Sequence, residues 1–225
     1  MHPGSRRFSA FASTVAVASL GFNPLAVASD APRQTTSAEL RLVFVDLCDT
    51  APGLRHGTLR EIQGLLEPAG VQVKGETATP GEGELRGGVY MVLMPFDPSR
   101  PRTHPVGGVA RRENGRQLTV WAFPPWVAGG LGLDLGQTSR WTHRQRQQFQ
   151  RAMAVVVVHE LAHALAGASH RPHGLMSPRL RREQLLDPKL VVDADLHAAF
   201  LAGVARLNAA ANAQAETTQV AVSTR

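Results

Sequence analysis

The chain predicts an α+β domain, and three observations carry that prediction. Its first half alternates β-branched apolar runs with turn residues. An Asn-Gly pair separates two of those runs, and the second half holds one long helical segment, Thr142 to Ala166. Length and composition agree: 225 residues, 43% hydrophobic and 19% charged, suit one globular domain with a sizeable core.

Taken in order, Glu39 to Asp46 (ELRLVFVD) is β-branched and apolar and predicts a buried strand. Leu54 to Leu66 places Leu59, Ile62, Leu65 and Leu66 at helical intervals, and Pro68-Ala69-Gly70 stops that helix. Val71 to Lys74 predicts a short strand, Thr77 to Gly88 a loop, and Val89 to Pro95 another strand. Val106 to Arg112 and Gln117 to Phe123 flank Glu113-Asn114-Gly115-Arg116. Asn-Gly tolerates the positive φ angles of a tight turn, so this stretch predicts a hairpin. Pro124 to Gly136, rich in Pro and Gly, predicts a loop.

The segment Thr142 to Ala166 begins polar and ends almost wholly apolar. Its four consecutive valines, Val155 to Val158, favour a strand by propensity alone. A helix apolar on all sides, however, is what a buried central helix requires. Gly167 supplies its C-terminal stop. A last helix is expected over Asp193 to Ala210, followed by a polar, disordered tail at residues 211–225.

The first 28 residues read as an export signal. Arg6 and Arg7 give a short positive region, Phe8 to Val27 is uncharged and apolar or small, and Ala26-Val27-Ala28 presents small residues for cleavage. Asn23-Pro24 breaks the stretch, which is short for a membrane span. A secreted or periplasmic chain without stable membrane association is expected after cleavage, its functional domain occupying residues 29–210. The net charge of +6 comes almost entirely from arginines interleaved with acidic and apolar residues, and aromatics are only 5% of the chain. That pattern describes a solvated basic surface and argues against nucleic acid as a partner. Cys48 is the only cysteine, so no internal disulfide can form; it falls in an apolar run and reads as a small core residue.

The chemistry concentrates in His159-Glu160-Leu161-Ala162-His163, an HExxH motif on the long helix. Residues four apart on a helix share a face, so both imidazoles can reach one metal ion. Glu160 lies one step further round, placed to take a proton from a water on that metal rather than to join the histidines as a ligand. Buried His and Glu without partners would be costly to desolvate, which favours a metal over coincidence. His170 and His173 both follow within reach of a chain that doubles back.

These residues resemble the metzincin clan of zinc peptidases, whose HExxHxxGxxH motif is followed by a methionine turn. Here Gly167 and His170 keep the Gly-x-x-His step, and Gly174-Leu175-Met176-Ser177-Pro178 looks like the methionine turn. The strand and helix order before the motif is also similar. The resemblance implies a metzincin-like fold: a small mixed twisted sheet, a helix in the N-terminal half, the long HExxH helix, the methionine turn and a C-terminal helix. It implies Zn2+ held by His159, His163 and His170, with Glu160 as catalytic base and Met176 packed beneath. It further implies a monomer acting on a peptide or protein substrate laid along a sheet edge, for which Val106 to Arg112 is the best candidate.

The chain departs from the clan by one extra residue between His163 and Gly167, which shifts the glycine about 100° round an α-helix. His173 therefore stands as a rival third ligand. If it joined the other three it would close the site and make the zinc structural rather than catalytic. A carboxylate from Glu183, Asp193 or Asp195, as in the other large HExxH class, is a further alternative. Tyr90 is the only tyrosine and precedes the motif, so the auxiliary tyrosine of some metzincins is missing.

Overall fold

The computed structural model describes residues 38–50, 52–78, 88–95, 108–113 and 117–223. The expected export signal at residues 1–28 lies outside them, as does the Asn114-Gly115 turn.

Strand β1 (Ala38–Asp46) leads through helix α1 (Pro52–Leu66) to β2 (Val71–Thr77), which pairs with it in parallel. Strand β3 (Val89–Leu93) runs parallel on the other side of β1, and β5 (Gln117–Ala122) parallel to β3. Strand β4 (Gly108–Glu113) pairs antiparallel with β5 at the sheet edge, giving the order β2-β1-β3-β5-β4. The register sets apolar residues in rows across the strands: Leu42, Val89 and Leu118 in one, Phe44, Met91 and Val120 in the next. All six are buried, so each row is a continuous strip on which helices can pack.

Helix α1 meets that core through Leu54, Ile62, Leu65 and Leu66. It ends in a 3-10 turn at Glu67–Ala69, with Gly70 left-handed at φ 73°. Helix α3 (His143–Leu161) opens with a reciprocal cap. The Gln145 amide donates to the Thr142 hydroxyl at 3.2 Å, and the Thr142 amide donates to the Gln145 side chain at 2.8 Å. From Ala152 to Leu161 every residue of α3 is buried. Val155 to Val158 adopt helix against their propensity because all their sides meet apolar neighbours.

Three stretches differ from the sequence expectation. Pro124 to Gly136 is not a plain loop: α2 (Pro124–Gly130) forms there, and a 3-10 segment follows at Leu135–Arg140. Proline at the first helical position costs no hydrogen bond, and burial of Val127, Ala128 and Leu131 supplies the drive. A short helix α4 (Arg182–Leu185) follows the methionine loop, with Leu185 buried. Finally α5 (Ala194–Ser223) runs past Ala210 through most of the expected tail. Its alanines at 209, 210, 211, 213 and 215 favour helix strongly enough to continue it. Leu196, Phe200 and Val204 form its buried stripe.

The whole is a mixed α and β fold, with α3 as its central helix. No helix among the described residues is long and apolar enough to cross a membrane.

Candidate metal centre

Three imidazoles converge at the end of α3. The Nε2 of His163 lies 3.1 Å from the Nε2 of His159 and 3.1 Å from the Nε2 of His170. The rings of His159 and His163 meet nearly edge-on at 85°, those of His163 and His170 at 87°. His159 is buried, His163 half-buried and His170 exposed, so the cluster opens from the core towards solvent.

The opposite ring nitrogens explain the convergence. His159 Nδ1 lies 2.7 Å from the Leu175 carbonyl, and His163 Nδ1 lies 2.6 Å from the Ala168 carbonyl. A carbonyl can only accept, so each Nδ1 carries the proton and each Nε2 presents a lone pair. Two lone pairs 3.1 Å apart cannot bond each other; a cation between them removes the conflict. Nitrogens bound tetrahedrally to zinc at about 2.0–2.1 Å stand about 3.3 Å apart. The donor set therefore fits zinc in both chemistry and spacing. Burial holds the His159 imidazole at about pKa 4, outweighing the Leu175 hydrogen bond, and His163 and His170 add to the lowering. Desolvation, then His163, lowers His170 as well. Neutral imidazole is the form that binds metal.

The extra residue before Gly167 has a definite structural answer. After Leu161 the helix widens into a π turn over Ala162–Ala166. The Gly167 amide donates to the carbonyl of Ala162, five residues back, and the Ala168 amide reaches the same oxygen at 3.2 Å. One added residue is what a π turn accommodates without breaking the helix. Gly167 then takes left-handed φ 62°, ψ 25°, a conformation that suits glycine, and the chain reverses towards His170.

The methionine loop is tied in from below. The Arg171 amide donates to the Met176 carbonyl at 2.8 Å, and Ser177 donates to Gly174, whose φ is 75°. Leu175 and Met176 are fully buried, and the Leu175 carbonyl is the one that orients His159. The side chain of Arg171 pairs with Asp195 at 2.7 Å and reaches Asp193 at 3.7 Å.

Glu160 is buried, 8% exposed, next to His159. His173 is exposed and does not join the three converging nitrogens, nor do Glu183, Asp193 or Asp195. Among the described residues no fourth His, Cys, Asp or Glu completes the cluster. His197 bonds the Val192 carbonyl at 3.0 Å. Cys48 is half-buried against the core, just past the end of β1. Sequence reasoning missed the Leu175 and Ala168 carbonyls and the π turn. Only the turn leaves a sequence signal, the fourth residue between His163 and Gly167.

No protein-family profile matches the chain. No curated protein matches it either. Among solved structures it is similar to the crystal structure of archaemetzincin from Methanopyrus kandleri, at 18% identity and a TM-score of 0.49. The likeness covers 77% of this chain and 98% of that one.

Proposed function

We propose that this chain is an exported zinc-dependent peptidase that hydrolyses peptide bonds with Glu160 as general base. The observation that carries the reading is the meeting of three imidazole Nε2 atoms, with His163 Nε2 at 3.1 Å from each of the other two and the His159 and His163 lone pairs fixed by protonated Nδ1 atoms on backbone carbonyls. His159, His163 and His170 would hold the zinc, which when bound polarises a peptide carbonyl and makes water more acidic.

The chain's own groups perform the rest. Glu160 follows His159 on the buried helix and would serve as the carboxylate base beside the metal. It takes a proton from the attacking water and passes it to the leaving amine. The Leu175 and Ala168 carbonyls hold two rings in the ligating tautomer. Strand β4, at the sheet edge, offers backbone groups to an extended peptide. Export would follow from residues 1–28.

Glu160→Gln separates catalysis from metal binding. The variant is expected to keep one zinc while cleavage of an unstructured peptide pool falls by about a hundredfold or more. Cleavage at the parent rate by zinc-loaded Glu160→Gln contradicts the mechanism.

A further inference from the structure

Two residues of α5 converge on one carbonyl of the π turn. The Arg206 guanidinium donates to the Leu165 carbonyl at 3.1 Å. Gly203, one helical turn earlier, faces the same oxygen: a Cβ there would stand 2.3 Å from it, closer than any real contact permits. Arg206 thus brings a donor to an oxygen that the absence of a side chain at Gly203 lets approach α5.

The Leu165 carbonyl belongs to the last turn of its helix, whose carbonyls have no later helical amide to accept from. The Gly167 and Ala168 amides are both spent on Ala162, and Leu165 itself is buried. An oxygen left there without a donor would carry a desolvation cost. Helix α5 is well anchored to serve: Asn208 donates to the Glu39 carbonyl on β1 at 2.9 Å, and Leu196, Phe200 and Val204 are buried. The π turn carries His163 and leads through Gly167 to His170. Its shape therefore decides whether two of the three imidazoles arrive together.

We infer that Arg206 and Gly203 are positioning residues for the metal centre, holding the widened turn that lets the longer His163-to-Gly167 spacing still deliver His170. The inference rests on the zinc-site reading above. Neither residue touches the metal; both act through the Leu165 backbone.

The test uses the full chain and three variants: Arg206→Met, Arg206→Lys and Gly203→Ala. Zinc affinity is read by chelator competition, and amide hydrogen exchange at Gly167 and Ala168 is read on the zinc-free proteins. Arg206→Met is expected to bind zinc roughly tenfold to a hundredfold more weakly, the range for groups that orient metal ligands. Exchange at Gly167 and Ala168 should quicken in that variant while the sheet amides stay as in the parent. Arg206→Lys, which keeps a cationic donor, should recover most of the affinity, and Gly203→Ala should resemble Arg206→Met. Parent-like affinity and exchange in Arg206→Met overturn the assignment, and so does a lysine variant as impaired as the methionine one. A parent chain that binds no zinc defeats the proposed function instead, and the exchange comparison still decides whether Arg206 holds the turn.

Discussion

Arg171 pairs with Asp195 at 2.7 Å, and Arg171 is the residue directly after His170. The exposed His170 imidazole is thereby fastened to the start of α5, while the Arg171 backbone closes the methionine loop onto Met176. Both side chains are open to solvent, so the pair steadies a geometry rather than supplying much stability. Arg171→Ala is expected to weaken zinc binding about twofold to fivefold with little change in melting temperature. Chelator competition measures it, and an affinity unchanged at low salt contradicts the role.

Helix α5 supports the centre through its buried stripe. Phe200 is fully buried in the hydrophobic core, so removing its ring leaves a cavity. Phe200→Ala is expected to lower unfolding free energy by about 3–5 kcal/mol in denaturant titration. A loss under about 1 kcal/mol would mean that α5 is not part of the cooperative core.

Cys48 gives a prediction that depends on pH. Burial pushes its thiol up to about 12, with Asp46 and Asp49 adding to the rise. At pH 8 only about one thiol in ten thousand is then ionised, against roughly a quarter for a free cysteine. Alkylation by iodoacetamide should be very slow in the folded chain and rapid after denaturation. The sign for stability follows: the unfolded thiol ionises first as pH rises. Cys48 therefore favours the folded state below its ordinary range and loses that contribution progressively towards pH 12. Rapid labelling of the native protein at pH 8 contradicts this placement.

Much of the fold is legible in the sequence because its strands carry apolar runs into the core and the second half of its long helix is wholly buried. Leu40, Leu42, Val43 and Phe44 are buried, as the ELRLVFVD run implies, and Glu113 pairs with Gln117 where the Asn-Gly signal places a hairpin. Helix α2 was not legible, because two prolines and its glycines resemble loop composition, and burial of Val127 and Leu131 decides the outcome. The spacing of His159 and His163 suffices to place both on one helical face. His170 is a different matter: an ideal α-helix would misdirect Gly167 by about 100°, and only the π turn removes the discrepancy. The carbonyls of Leu175, Ala168 and Leu165 shape the centre through the backbone, so no residue type in the sequence announces them.

Zinc content decides whether His159, His163 and His170 form an open metal centre. The parent, His170→Ala and His173→Ala are each loaded, dialysed against a weak chelator and analysed for metal. One zinc is expected in the parent and one in His173→Ala, with loss from His170→Ala. Equal loss in both variants would make the site a closed one with four ligands, and no zinc in the parent would contradict the metal centre altogether.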